Sequence, residues 1–310
     1  MSGVLLYVRL ALATGAVLAP GWLVARALGL RGVSGAIAWM FAVLFAAMAV
    51  TFALGRSSTL TLLLLVAAGV VAFPFARANR RARVPGWGWV AGGGAVLGIL
   101  LWHVAGHVDG DGLFHLARVR KLLELDELSL AAVEEFPDGG PHPGYAFPLW
   151  HGFVALVAKV AGADPGEVVL HLPSVLAAAA VLAWYEAGYA LFRHVVPAAA
   201  TAGAAVGLYA MAPGSGGAYV VLGLPETATR HVLVPAALAL AFGLLRRPGW
   251  QQALSLAAAA FAIAVAHGTY LVFLVIPFAG FLLVRVLWSR ADLRAGTLAL
   301  GALLAAPAAF

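Results

Sequence analysis

The sequence has no cysteine and very little charge. The first absence excludes disulfides, thiolate metal sites and cysteine nucleophiles. Asp, Glu, Lys and Arg together make up 10% of the 310 residues, where soluble domains carry about 25%. Apolar residues fill 63% and the mean hydropathy is +0.97. That composition excludes a soluble globular enzyme, a disordered tail and a nucleic-acid-binding domain. What remains is long apolar runs. A bilayer core of about 30 Å needs roughly 20 apolar residues per helix.

Such runs lie at about 4–28, 32–54, 58–76, 87–107, 146–163, 167–192, 197–212, 228–245, 253–269, 270–288 and 295–310. They predict an all-α, polytopic transmembrane bundle of about 10–11 spans. The first run holds Arg9 and continues through Pro20 and Trp22, so it reads as a retained span rather than a cleaved signal peptide. The last run stops at Phe310 with no polar flank, which reads as the front part of something longer. Three parts follow: N-terminal helices over 1–86, a module over 87–290, and the start of a further span over 291–310.

The net charge is +6, with a pI near 10.1. Its arginines sit between apolar runs, the mark of cytoplasmic loops rather than of a nucleic-acid partner. Arg77, Arg80, Arg81 and Arg83 set the third connection inside. The segment 108–145 then lies outside. Parity becomes a problem beyond it. If 146–163 and 167–192 both cross, Arg193, Arg246 and Arg247 fall outside, against the charge rule. Either 146–163, which carries His151 and Lys159, is partly buried or re-entrant, or later helices are short.

Chemistry concentrates in the outer loop. It opens His107-Val-Asp109-Gly-Asp111-Gly-Leu-Phe-His115-Leu-Ala-Arg118-Val-Arg120-Lys121. The glycines turn the backbone, and Asp111 is placed to cap the helix that follows. Asp109 suits a cap less well and is the better functional candidate. Residues 112–125 are amphipathic, with Leu113, Leu116, Val119 and Leu123 and their neighbours Phe114 and Leu122 on one side and Arg118, Arg120 and Lys121 projecting elsewhere. This predicts an interfacial helix whose basic residues attract a lipid phosphate. After Pro137, His142 and Pro143 the chain returns through Tyr145, Phe147, Pro148 and Trp150 to His151. Aromatics there suit the headgroup level, and an ionisable group just beyond gains functional weight. His107, Asp109, Asp111 and His115 are ligand types for a divalent cation, but their spacing fits no closed site. Farther on, Glu226, Arg230 and His231 stand at the mouth of a span, and His267 interrupts an apolar run. Each is a cavity candidate or a simple cap and helix contact. Gly94 and Gly98 form a small-xxx-small pair suited to close helix packing.

This order of features resembles the GT-C superfamily of membrane glycosyltransferases, and more narrowly its actinobacterial members. The residues that carry the likeness are Asp109-Gly-Asp111 with His115-Leu-Ala-Arg118, and Pro143 to His151. Leu172-Pro173-Ser-Val-Leu176 adds a helix start in which His171 replaces the family's arginine, and Leu224-Pro225-Glu226 also fits. The resemblance covers about residues 88–290. It implies an enzyme of the plasma membrane, facing outside, that takes a sugar from a polyprenyl-phosphate donor. The acceptor would be a glycan, lipid or protein, and transfer would invert the anomeric centre. Asp109 is then the general base, Asp111 its partner, and Arg118, Arg120, Lys121, Arg230 and His231 the phosphate contacts. His115, His142, His151, Glu226 and His267 would line the cavity. Two other classes compete. A transporter or flippase would string His151, Lys159, Glu186 and His267 along a path through the membrane. A non-catalytic membrane fragment would leave Asp109 in open water.

Overall fold

The computed structural model describes residues 3–30, 32–78, 84–134, 140, 142, 144–210, 218–288 and 293–305. Arg80, Arg81, Arg83, Pro137 and Pro143 of the sequence reading lie outside them. The described chain is helical almost throughout. In order it forms α1 (Gly3–Ala27), α2 (Gly32–Ala53), α3 (Ser58–Ala78), α4 (Trp87–Val104), α5 (Asp111–Leu125), α6 (Leu130–Val133) and α7 (Leu149–Ala161). There follow α8 (Pro165–Phe192), α9 (Val195–Ala210), α10 (Pro225–Ala228), α11 (Val234–Arg246), α12 (Trp250–His267), α13 (Thr269–Trp288) and α14 (Leu293–Ala305). Among the described residues, 8 helical stretches are long and apolar enough to cross a membrane: α1 to α4, α8, α10 through α11, α12 and α13. Helices α7, α9 and α14 are apolar but shorter.

Helix α7 explains the parity conflict. Its 13 residues extend only about 20 Å at 1.5 Å per residue, and both its ends lie at the same end of the bundle. It starts beside Tyr145 and finishes where Lys159 Nζ meets Asp126 Oδ1 at 2.7 Å and the Ser58 hydroxyl at 2.9 Å. Arg9 Nε of α1 donates to the carbonyl of Ala161 at 2.7 Å. The same corner is tied by a two-stranded antiparallel pair, β1 (Arg56–Ser57) with β2 (Glu127–Leu128). It joins the α2–α3 turn to the segment after α5. Asp126 is the knot. Burial opposes its ionisation, but donors from Lys159, Ser58 and Ser57 outweigh that and hold its carboxyl down to about 2.

At the opposite end, Glu186 of α8 receives the Val33 and Ser34 backbone N–H groups, each at 2.8 Å, and the Ser34 hydroxyl at 2.7 Å. A carboxylate from another helix thus answers the unpaired donors that begin α2. Gly32 at φ 82° lets it come so close, because a Cβ there would collide with that carboxylate. Arg193, Arg246 and Arg247 gather at this end, the Arg246 guanidinium donating to the Leu191 carbonyl.

Close helix contacts are made by small residues. A Cβ on Gly94 of α4 would stand 2.6 Å from the Ala178 Cα of α8, and one on Gly98 would strike the Ser174 carbonyl. Such close approach gives the dispersion contacts that hold helices together. Trp150, only 2% exposed, donates its indole N–H to the Gly223 carbonyl at 2.7 Å and stacks on Phe41 at 5.6 Å. That fixes the start of α7 between α2 and the segment preceding α10. Pro173, expected to open a helix, instead lies inside α8, which begins at Pro165 with Asp164 as its cap.

Candidate functional site

Helix α5 buries part of the apolar side its leucines suggest. Its buried residues are Gly112, His115, Leu116, Arg118, Val119 and Leu122, while Leu113 is exposed. Arg118 therefore does not project into solvent with Arg120. The anticipated cap is also corrected: Gly110 occupies the cap position, with no side-chain bond. The Asp111 carboxylate instead faces one turn along its own helix and meets His115 Nε2 at 3.2 Å. On the other side of that ring, Nδ1 lies 2.9 Å from His151 Nε2 on α7.

These two contacts fix the tautomers of the neutral rings. A carboxylate accepts only, so His115 carries its proton on Nε2 and donates to Asp111. Its Nδ1 is then an acceptor, and His151 donates from Nε2. Burial lowers the pKa of His115, and the neighbouring Asp111 opposes that shift. The result is a chain His151 to His115 to Asp111, whose last member has a side chain 65% exposed. Asp111 thus ends as an oriented carboxylate with open space before it.

Tyr145 closes this group. Its ring sits edge-on to His115 at 5.4 Å and to His151 at 5.2 Å, with His142 at 5.2 Å. Arg118 lies over the same ring at 5.6 Å and donates to the Tyr145 carbonyl at 2.8 Å. Burial brings the Arg118 guanidinium to about 10, and raises the Tyr145 phenol to about 12 with help from Asp111 and Glu226. A second cluster faces it. Tyr270 donates to Glu226 Oε1 at 2.9 Å, and Arg230 donates to the same oxygen at 3.1 Å and from Nε to the Tyr270 hydroxyl at 2.8 Å. His267 bridges the two, 6.1 Å from Tyr145 and 5.2 Å from Tyr270 by ring centres. Arg230 sits on a wide turn of π-helix, Thr229–Leu233, running into Pro235, which has no N–H to continue regular bonding.

The remaining predicted residues lie elsewhere. Asp109 has a side chain 78% exposed and lies 3.5 Å from His107, off the histidine chain. Arg120 pairs with Asp164 at 3.4 Å, and Lys121 donates to the Glu134 carbonyl at 2.6 Å. His231 points away from Arg230 and is fully buried, stacked on Tyr219 at 4.6 Å and against Tyr209 at 4.3 Å. Of the four weak metal ligands, His107 stands with Asp109 and His115 with Asp111. Among the described residues no group of three or more His, Asp or Glu is placed to hold a metal. The path expected of a transporter is not assembled either, since Lys159 binds Asp126 at one end and Glu186 binds α2 at the other. Tyr145, expected only as an aromatic of the headgroup level, and Tyr270, which carried no assigned role, both belong to the site. Their position beside His151 and His267 in sequence was the available signal.

Beside α5 lies a cavity of about 340 Å³ lined by Phe114, Ala117, Arg118, Lys121, Leu122, Ala132, Val133 and Glu134. Its lining is mostly apolar, with Arg118 and Lys121 basic and Glu134 acidic. The chain's resemblances can now be stated. A family model described as a family of unknown function, DUF6541, matches residues 14–310. The chain belongs to that family. Comparison with curated proteins and with solved structures gives no match. DUF6541 membership covers α2 through α14 and both polar clusters, so every residue of the site falls within the matched span.

Proposed function

We propose that this chain is an integral protein of the plasma membrane that transfers a sugar from a polyprenyl-phosphate donor to an extracytoplasmic acceptor, in the manner of GT-C glycosyltransferases. One observation carries the reading. Asp111, His115, Arg118, His151, Glu226, Arg230 and His267, drawn from distant parts of the chain, converge at a single end of an otherwise apolar bundle. Polar groups are costly there without a task.

Membrane placement is supported by the outward faces of α3, α4 and α13. Val66, Val70, Phe75, Ile99, Phe273, Ile276 and Leu283 are each more than half exposed, a surface that soluble monomers do not tolerate. Trp89, Trp250 and Trp288 stand exposed at the end opposite the site, as in an interfacial aromatic belt. Arg77, Arg193, Arg246 and Arg247 lie at that end, so the charge rule puts it in the cytoplasm and the site outside.

In the proposed reaction Asp111 is the base. It takes the proton of the acceptor hydroxyl as that oxygen bonds to the anomeric carbon. The bond from that carbon to the donor phosphate breaks from the opposite face, which inverts the centre. Negative charge grows on the departing prenyl phosphate, and the cavity beside α5 offers Arg118 and Lys121 to it and apolar residues to its chain. His115 does not touch substrate. It is a positioning residue that holds Asp111, and His151 holds it in turn. A divalent cation has no assembled site among the described residues, and no step is assigned to one.

The test is transfer in proteoliposomes from a panel of polyprenyl-phosphate sugars, read as prenyl phosphate release. Loss of a positioned base costs about 10²–10⁴-fold, so Asp111→Asn is expected to fall at least a hundredfold and Asp109→Asn less than about threefold. The reverse ranking would move the base to Asp109. No release by the wild-type chain from any donor would reject the transferase reading.

A further inference from the structure

A cavity lies away from the polar clusters, at the basic end between α8 and α11. It measures about 520 Å³ and is lined by Arg193, Arg246 and Arg247 with Tyr189, Ser34 and Gln252, a volume within the range of ordinary ligand pockets. The arginines are held in place. Arg193 ends α8 in the left-handed conformation, φ 60°, with its guanidinium 5.2 Å from the centre of the Tyr189 ring. Arg246 is anchored on the Leu191 carbonyl and lies within Coulombic reach of both Arg193 and Arg285.

Like charges are costly to gather unless an anion joins them. Glu186 lines the same cavity, but Val33, Ser34 and the start of α2 already occupy its carboxylate. Its charge is spent on the helix end. Guanidinium groups in this number suit phosphate, whose oxygens they meet in pairs. Depth points the same way, because exposed Trp250 opens α12 and exposed Trp288 closes α13 at this end. Aromatic residues of that kind mark the headgroup level, where basic pockets between helices take anionic lipid.

We propose that this cavity binds the phosphate of an anionic phospholipid from the leaflet at the basic end. The inference rests on the membrane placement and is independent of the transfer reaction. The experiment is lipid retention by the full chain in nanodiscs of phosphatidylcholine with increasing phosphatidylglycerol, read by native mass spectrometry. Wild type is expected to keep one phosphatidylglycerol in preference to phosphatidylcholine. The double variant Arg193→Asn, Arg247→Gln should lose that preference at least tenfold, and asparagine tolerates the left-handed backbone at 193. Arg77→Gln, at the same end but outside the cavity, should keep it.

Equal retention by wild type and double variant would overturn the proposal. So would displacement by millimolar inorganic phosphate without any preference between the two lipids, which would assign the cavity to a soluble phosphate. Unchanged melting of the double variant in pure phosphatidylcholine separates a lost site from a lost fold. A chain that does not enter nanodiscs at all would overturn the membrane placement and this inference with it.

Discussion

The two ends of this bundle use charge in opposite ways. At one end acid, base and aromatic side chains answer one another: Asp111 with His115, Asp126 with Lys159, Glu226 with Arg230 and Tyr270. At the other, arginines accumulate around a cavity and a buried carboxylate, Glu186, holds a helix start. The difference teaches that balance, rather than amount, distinguishes them. A closed set of partners holds a carboxylate in a fixed direction for chemistry. An excess of one sign orients the chain and waits for an anion from outside.

Breaking each end should therefore have unequal consequences. The largest effect on stability is expected from Glu186→Ala. It strands the Val33 and Ser34 N–H groups in a buried site, and with hydrogen bonds to a charged group at stake the loss should be about 3 kcal/mol. Thermal melting in detergent measures it, and an unchanged midpoint would mean that α2 is capped by something else. Acidification comes next and acts at the site end. His115 has its pKa lowered by burial, so the unfolded chain binds a proton before the folded one does. Stability is then full above about pH 6.5, the ordinary histidine value, and declines as pH falls below it. His115→Gln should flatten part of that slope in melting curves taken from pH 7.5 to 5.5. The smallest effect belongs to Asp126→Asn. The group is 43% exposed, and exposed pairs contribute less than about 1 kcal/mol. Its carboxyl is held down to about 2, so its contribution is complete above the usual carboxylate range and is lost only as pH approaches 2. An Asp126→Asn chain should match wild type below that point and fall slightly short of it at pH 7.

How much of this was legible in the sequence follows from the range of the forces involved. Runs at 4–28, 32–54 and 58–76 became α1, α2 and α3 with ends shifted by a residue or two, because length and apolarity are local properties. The helix that follows Asp109-Gly-Asp111 was legible for the same reason. Its buried face was legible only in Leu116, Val119 and Leu122. Leu113 and Leu123 pulled the reading one way, while tertiary packing against α7 selected the face that carries His115 and Arg118. Asp111 read as a cap because capping is its commonest local role, and only the approach of His151 from α7 gives the His115 ring its second partner. Tyr145 owes its place to Arg118, 27 residues away in the chain, and Tyr270 to Arg230 and Glu226, 40 and 44 residues away. The shortness of α7 was hinted at by Lys159, a charge within the run 146–163.

The absence of cysteine offers the most direct test of the two-ended account, because any introduced cysteine is unique. Glu124→Cys sits exposed beside the site and Arg77→Cys exposed at the basic end. With a membrane-impermeant maleimide on intact cells, the account predicts labelling of Glu124→Cys, and labelling of Arg77→Cys only after the membrane is broken. Labelling of Arg77→Cys in intact cells, with Glu124→Cys protected, would contradict it.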